Sequence, residues 1–511
     1  MDRVLAFIND KKIAVLALVV LVLSLIPFFI IAHFARPGGD DLNYAIRTHA
    51  AWLNTGSVWA VINAAINTAR SFYRSWTGEV VSLFLYSLMP EVFAPYTFWI
   101  GVYFILLCHI VGTSVFIYYF LGKILGLAIE YATIINALVL FIYMQFLPVF
   151  YTGIYWYTAG IHYILPHAAT LLALVFTGMF ILSNAKKYII YTSVCMIFIG
   201  GGDYGHILFV IMVYALIILF ALLAKKAMYV LWLLIPYVIN FIGLAINVLS
   251  PGHSVRAGNA LGFSAEYFWI TIWRSFEEGV FAPFRHFARV PLILPALLLL
   301  LFFSWIGMLK SLKGNKPLIT FKFPLLFVVI IFLVNCALNA PSIYAIELSG
   351  VTDASSGHII VRWMLFFITW LAAILYLEGW LITKLLKKQK DESPSLVFSV
   401  FVMEDKFRKC FLFPAILLSL MLCLLFRGNV RDSFIHQAYV YLESGAAAEY
   451  KWRIAEYMEI LLDDSMAVAY LKPINDKQGP LIHWTVMPDE DSYVNWTLKE
   501  FYRKERVVLL E

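Results

Sequence analysis

Two adjacent carboxylates and a pair of arginines share one loop of the 511-residue sequence. Asp40 and Asp41 follow directly on the first apolar stretch, and Arg70 and Arg74 close the same loop four residues apart. One carboxylate can take a proton from an attacking hydroxyl, while the neighbouring carboxylate orients that hydroxyl or holds a divalent ion. Two arginines on one helical face can neutralise a phosphate leaving group as its charge develops. The loop therefore has the residue types for group transfer from a phosphorylated ligand, with Asp41 favoured over Asp40 as the base.

The same carboxylates have a structural interpretation. An aspartate before Leu42 is well placed to cap a helix that starts there, because its side chain can accept an N-terminal backbone N–H. One carboxylate can cap while the other does chemistry, so the two interpretations are compatible.

Candidate phosphate-binding arginines lie in three parts of the chain. Arginine grips phosphate with a planar fork of donors, which makes it the natural residue for this task. The alternative is that these arginines pair with nearby glutamates or bind lipid phosphates generically. The candidates are Arg70, Arg74, Arg256 and Arg362.

Candidate substrate-binding residues lie in the aromatic segment 151–167, the glycine-rich turn 200–206 and the segment 250–257. Irregular segments of this composition suit the lining of a cavity near a bilayer surface. Histidines there can donate to phosphate or sugar, although lone histidines are as often structural. The candidates are Trp156, His162, Tyr163, Asp203, His206 and His253.

No metal ligand set is predicted, because no spacing rule links the carboxylates and histidines, and the five cysteines lie in or beside apolar runs. No cofactor is certain, and a divalent cation such as Mg²⁺ or Mn²⁺ is the one that the carboxylates could share with Asp203 and His206.

The composition defines the elements that must position these residues. The chain is 62% hydrophobic and only 14% charged, whereas soluble domains carry about 25% charged residues. This excludes a soluble protein, and the net charge of +6 is read as membrane topology rather than as nucleic-acid binding. The first apolar run follows Lys11 and Lys12 and has no convincing cleavage site, so it is predicted to be an uncleaved helix.

Lysine clusters punctuate the sequence between pairs of apolar stretches, and the loops between the clusters carry arginine instead. With the lysines in the cytoplasm, the pattern predicts about 11 helices of ~20 residues, the N-terminus inside and the C-terminus outside. The predicted spans are 13–33, 97–121, 126–148, 167–185, 188–202, 206–224, 228–249, 291–309, 323–340, 360–383 and 411–427.

The regions outside the spans are predicted as follows. The first external loop, 34–96, is expected to hold surface helices over 42–67, broken at 54–57 with Ser57 capping the second. The transmembrane domain covers 1–427, and 428–511 forms a small external α/β domain with a helix near 450–461 and a strand near 467–471. A stabilising cap without chemistry is the expected role of that domain.

Several motifs together resemble one bacterial family of polytopic proteins grouped with the GT-C membrane glycosyltransferases. They are Gly39-Asp40-Asp41, Trp76-Thr77-Gly78, the segments 157–166 and 250–257, and the tail around 491–502. In this sequence Glu79 follows the second motif where arginine is usual, and His162 and His253 stand where asparagine is usual.

The resemblance implies a GT-C fold and an inverting transfer of a sugar from a polyprenyl-phosphate carrier such as undecaprenyl phosphate. The acceptor would be a cell-envelope glycan or lipid outside the bacterial cytoplasmic membrane, with a first-loop aspartate at the active centre. The alternatives are a lipid-linked saccharide flippase or transporter, an O-antigen ligase or polymerase, and a non-catalytic assembly protein.

Overall fold

The structure is a computed structural model that describes residues 9–257, 265–344, 356–391, 400–475 and 478–510. Within those ranges ten helices are long and apolar enough to cross a membrane, and the shorter apolar helix Lys187–Gly200 adds a further candidate. The chain is therefore a multi-pass membrane protein, as its composition predicts.

The first helix is followed by a loop that is itself helical. The elements are α1 (Asp10–Ala32), α2 (Gly39–Thr55), α3 (Val58–Ser75), α4 (Val80–Tyr86) and a single turn at Pro90–Val92. Gly56 ends α2 in the left-handed region at φ 60°, and the Ser57 hydroxyl accepts the Ala60 N–H at 3.4 Å. The predicted pair of helices, their break and the Ser57 cap are confirmed, and their position along a membrane surface stays a prediction.

The middle of the chain contains an irregular segment between regular helices. The elements are α5 (Phe98–Tyr118), α6 (Ile129–Phe146), α7 (Phe150–Tyr155), α8 (Leu165–Ser183), α9 (Lys187–Gly200), α10 (Tyr204–Leu223), α11 (Ala227–Val248) and α12 (Pro251–Ala257). Helix α5 continues as a π-turn at Tyr119–Ile124, and the turns Tyr157–Ala159 and Gly160–Ile164 join α7 to α8. The predicted irregular segment at 151–167 is thus a broken helix.

The remaining elements complete the bundle and the C-terminal segment. They are α13 (Ala265–Arg289), α14 (Ile293–Lys313), α15 (Pro324–Ala337) with a turn at Ala340–Ser342, α16 (Ser356–Asp391), α17 (Glu404–Leu425), a turn at Arg427–Asp432, α18 (Phe434–Glu443), α19 (Ala446–Leu462), β1 (Val468–Leu471), α20 (Tyr493–Phe501) and β2 (Arg506–Leu509). Strands β1 and β2 pair in parallel, with Val468 opposite Arg506. The predicted helix and strand of the C-terminal region are both found.

All eleven predicted spans overlap a helix, but the one at 188–202 is short. Helix α9 has 14 residues, or ~21 Å of helix, against a hydrocarbon core of ~30 Å. It still runs alongside α11, because Lys186 lies 4.6 Å from the Trp232 ring near one end and Gly200 packs on Gly243 near the other.

Two ends of the bundle are distinguished by their side chains. At one end Asp10 pairs with Lys310 at 2.8 Å and with Arg408, and Lys310 also reaches Glu404 at 2.8 Å. This network joins the starts of α1 and α17 to the end of α14, and we call this the lysine end. We call the opposite end, which carries Gly38–Gly78, the loop end.

The C-terminal segment packs on the loop end. Phe434 stacks on Phe28 of α1 with ring centroids 3.6 Å apart, and Phe501 stacks on His49 of α2 at 4.1 Å. Its buried side chains are continuous with those of the bundle. Residues of the tail are therefore in position to contribute to a site in the first loop.

Candidate active site at the loop end

Asp40 is held by a side chain from the C-terminal segment. The Tyr493 hydroxyl donates to Asp40 Oδ1 at 2.7 Å and accepts from the Asn43 side chain at 3.0 Å. Burial raises the pKa of Asp40, while the Tyr493 hydrogen bond and the charge of Arg256 pull it back down. Burial and the Asp40 charge raise the pKa of Tyr493, so this hydroxyl stays a donor at neutral pH. Among the described residues, Asp40 is thus a partly exposed carboxylate that accepts one side-chain hydrogen bond, from Tyr493.

The glycines before Asp40 permit this close approach of the tail. A Cβ added to Gly38 would lie 2.0 Å from Cδ1 of Trp484, and one added to Gly39 would lie 3.0 Å from the Tyr493 ring. Because real Cβ contacts are never so short, any side chain at Gly38 would displace the Trp484 indole. The glycine pair in the sequence indicated a close approach, but it could not predict that Trp484 and Tyr493 make that approach.

Asp41 is buried, and both of its carboxylate oxygens accept hydrogen bonds. It is 1% exposed; Oδ1 accepts the Thr158 N–H at 2.9 Å and the Thr158 hydroxyl at 2.6 Å, and Oδ2 accepts the Gly38 N–H at 3.2 Å. Burial raises the pKa of Asp41 to about 7, against the lowering effect of these hydrogen bonds, and the Asp40 charge adds to the rise. Asp41 therefore ties the start of α2 to the irregular segment. The expected aspartate cap is instead Gly38, with Asp41 three residues into the turn.

A second polar group surrounds His162. Its Nδ1 lies 3.1 Å from the Ser82 hydroxyl and its Nε2 lies 3.7 Å from Glu79 Oε1, and Glu79 also accepts the Thr77 hydroxyl. The charges of Asp40 and Glu79 both raise the pKa of Tyr44, after burial as the main cause. Tyr44 therefore lies within electrostatic reach of both carboxylates. Glu79 and Ser82 were not predicted as site residues.

The segment around Arg256 docks on the end of α3. The Ser250 hydroxyl donates to the Tyr73 carbonyl at 2.6 Å, and a Cβ on Gly252 would lie 2.5 Å from the Trp76 nitrogen. The Arg256 guanidinium lies over the Trp76 ring at 4.4 Å. Because Tyr73 and Trp76 flank Arg74, the structure brings Arg74 and Arg256 to the same end of the bundle.

Arg70 and Arg74 are exposed on α3. Neither forms an ion pair with a carboxylate in the described part of the chain, so both remain accessible to a solution anion. Arg362 is placed differently: it donates to Asn339 at 3.0 Å and lies 3.6 Å from Glu278, in a separate cavity.

The other predicted substrate residues divide between the site and its surroundings. Trp156 packs edge-on against Trp484 at 6.1 Å, which places it beside the Asp40 loop. Tyr163 packs against Gly357, where an added Cβ would lie 1.7 Å away. His253 Nε2 lies 3.0 Å from the Tyr204 hydroxyl and 3.2 Å from Asn247.

Asp203 and His206 begin a chain of buried histidines. Asp203 caps α10 and contacts His206 Nδ1, and His206 Nε2 lies 3.3 Å from His167 Nδ1. Burial opposes ionisation of Asp203, but the His206 charge and hydrogen bond, with a contribution from His162, bring its pKa below the ordinary value. His109 follows with its ring 5.9 Å from the His167 ring, and neither of its nitrogens has a hydrogen-bond partner in the part of the chain that the structure describes.

No group of three or more histidine, cysteine or acidic side chains in the described ranges is arranged to hold a metal ion. Asp41 has little capacity left for one, because its oxygens already accept the three hydrogen bonds from Gly38 and Thr158.

The fold and these contacts define a multi-pass membrane protein with a polar site at one end of its bundle. Comparisons with family models, with curated proteins and with solved structures give no match. The geometry of the site is therefore the basis for inferring its function.

Proposed function

We propose that the protein is a membrane glycosyltransferase of the GT-C type that uses a polyprenyl-phosphate sugar. It would transfer the sugar to an envelope glycan or lipid acceptor outside the bacterial cytoplasmic membrane. The lysine end would face the cytoplasm, in keeping with the positive-inside bias, and the loop end and C-terminal segment would face outward.

The observation that carries the proposal is the setting of Asp40. This carboxylate has a raised pKa, a fixed donor in Tyr493, and a guanidinium, Arg256, close enough to affect its ionisation. A base with a pKa moved toward neutrality is suited to proton transfer at physiological pH, and a guanidinium nearby is suited to a phosphate.

The reaction would proceed in one displacement. The acceptor oxygen forms a bond to the anomeric carbon from the face opposite the phosphate, while the bond from that carbon to the phosphate oxygen breaks. The electron pair of the broken bond leaves with the lipid phosphate, next to Arg256 and Arg74, and the proton of the acceptor hydroxyl passes to Asp40. The leaving group is a stable anion, so the mechanism needs no general acid.

Asp40 is a better base than Asp41 on this geometry. Asp41 is buried and its oxygens already accept three hydrogen bonds, whereas Asp40 has one such donor, Tyr493. Asp41 acts instead as a positioning residue that fixes the start of α2 against Thr158. The sequence alone had favoured Asp41 as the base.

The test is transfer of radiolabel from polyprenyl-phosphate sugars to envelope acceptors by the purified protein. Asp40→Asn should lower transfer by about 10²–10⁴-fold, the usual contribution of a general base, while Asp464→Asn, an exposed control in the C-terminal segment, leaves it unchanged. Full activity of a folded Asp40→Asn protein would contradict the role of Asp40.

Transport is the second candidate, because the buried histidine chain favours it. Ionisable groups inside a bundle mark ion or proton pathways in many transporters, and His206, His167 and His109 form such a chain. Label that crosses a vesicle membrane without entering an acceptor, and that depends on His167, would favour a transporter over the transferase.

A further inference from the structure

A polar cavity lies at the loop end, apart from Asp40. Its volume is about 600 Å³, and its lining includes Arg285 and Arg289 of α13, Arg362 of α16, and Asp432. We call it the arginine cavity. The irregular segment contributes to both places, since Tyr151 lines the cavity while Thr158 holds Asp41.

Among the described residues that line this cavity, three arginines accompany one carboxylate, Asp432. Glu278 pairs with Arg285 at 2.6 Å and also lies 3.6 Å from Arg362, so one carboxylate serves two guanidinium groups. Arg289 forms no ion pair with any carboxylate that the structure describes. An anionic ligand would therefore find one guanidinium, that of Arg289, which no carboxylate in the described part of the chain neutralises.

His286 adds an independent sign of a ligand. It lines the cavity and is 6% exposed, and its Nε2 has no hydrogen-bond partner among the residues that the structure describes. Burial, together with the charges of Arg289 and Arg362, lowers the pKa of His286 to about 4, although a hydrogen bond to the Phe146 carbonyl opposes this. The ring is therefore neutral at pH 7, and its free nitrogen can accept a hydroxyl from a ligand.

The helix that supplies two of the arginines has the pattern of a membrane-surface helix. Large apolar side chains of α13 are exposed along one face, at Trp269, Trp273, Phe276 and Phe284. An amphipathic helix with such a stripe lies in the interface between head groups and acyl chains. Its polar side, with the arginine cavity, is then at the depth of lipid phosphate groups.

We propose that the arginine cavity binds the phosphate group of a lipid, as a second anion site distinct from the one at Asp40. Arg289 and Arg362 hold the phosphate, His286 accepts a hydroxyl of the head group, and the acyl chains lie along the apolar face of α13. The proposal does not depend on glycosyl transfer, because it concerns binding alone.

The experiment measures binding by the full-length protein in a neutral detergent. The probes are short-chain phosphatidic acid, diacylglycerol with the same acyl chains, and inorganic phosphate. Phosphatidic acid should bind at least tenfold more tightly than diacylglycerol. Weak binding of inorganic phosphate identifies a lipid ligand, whereas phosphate binding as tight as that of phosphatidic acid overturns the lipid assignment.

Variants locate the binding. Arg289→Gln should weaken phosphatidic acid binding about tenfold or more, the effect of one charge-assisted hydrogen bond. Between described residues, this variant breaks no ion pair. Arg427→Gln, an exposed control at the end of α17, should change binding less than twofold. Asp40→Asn should also leave it unchanged, which separates this site from the proposed transferase. Equal binding of diacylglycerol, or no effect of Arg289→Gln, would overturn the proposal.

Discussion

Tyr493 donates a hydrogen bond to Asp40 at 2.7 Å across 453 residues of sequence. The contact joins the last helix of the chain to the first loop, so the tail is part of the candidate site. The tail was expected to be a cap without chemistry, whereas its contact with Asp40 gives it a direct means of tuning a candidate base.

Replacing Tyr493 should move the pH profile of the protein's activity. Tyr493→Phe keeps the ring packed but removes a hydrogen bond that lowers the pKa of Asp40. The pKa of Asp40 then rises, the carboxylate is ionised only at higher pH, and the acid limb of the profile shifts upward. Transfer rates measured from pH 5 to 9 check this, with the exposed Tyr470→Phe as the control. An unshifted limb would show that Asp40 is not the titrating base.

Asp41 should make stability fall as pH rises. Its pKa is about 7 in the fold against an ordinary value of 3.8, so the fold favours the neutral acid. Ionisation of Asp41 therefore lowers the free energy of unfolding. This loss is absent below pH ~4, grows as the pH rises to ~7, and reaches up to ~4 kcal/mol above that pH.

Thermal unfolding of the purified protein at pH 5 and pH 8 measures this penalty. Asp41→Asn cannot ionise, so its unfolding temperature should depend less on pH than that of the wild type. The same pH dependence in both proteins would mean that Asp41 is not the responsible group.

The close approach at Gly38 should not tolerate a side chain. Gly38→Ala puts a methyl group 2.0 Å from the Trp484 ring, and overpacking of this kind typically costs ~1–3 kcal/mol. We expect earlier thermal unfolding and faster proteolysis of the C-terminal segment. Gly428→Ala is the matched control, because an added Cβ there meets nothing within 4 Å. Equal behaviour of the two variants would contradict the packing of the tail on this loop.

Arg256 should contribute to binding of the polyprenyl-phosphate sugar rather than to the stability of the fold. It is exposed and lies on the Trp76 ring, so Arg256→Gln should leave the unfolding temperature within a degree or two. The KM for a polyprenyl-phosphate sugar should rise by about tenfold or more through loss of a charge-assisted phosphate contact. Arg47→Gln, another arginine of the loop, is the comparison. An unchanged KM would exclude Arg256 from donor binding.

Local sequence was sufficient for the helices and their breaks. A stretch such as 13–33 is too long and too apolar to be anything but a spanning helix, and its helix is found at Asp10–Ala32. The break at Gly56 and the Ser57 cap depend on neighbours within four residues. Such signals are short-range, and they can be read without knowing the fold.

The contacts that side chains make with other helices of the bundle could not be predicted from the sequence. Arg256 and Arg362 look alike as arginines at helix ends, yet one lies on Trp76 beside the Asp40 loop and the other lines the arginine cavity. Glu79 was noticed only as a departure from a motif, although it lies 3.7 Å from His162. Which face of a helix turns toward which neighbour depends on how all the helices pack.

The sequence by itself determined that this is a multi-pass membrane protein with carboxylates and arginines outside its spans, because chain composition and run length decide partition into a bilayer. Only the tertiary structure decided that Asp41 is buried against Thr158, that Asp40 accepts a hydrogen bond from Tyr493, and that Arg362 lines the arginine cavity. Those outcomes follow from side-chain packing between different segments of the chain, for which no local pattern exists.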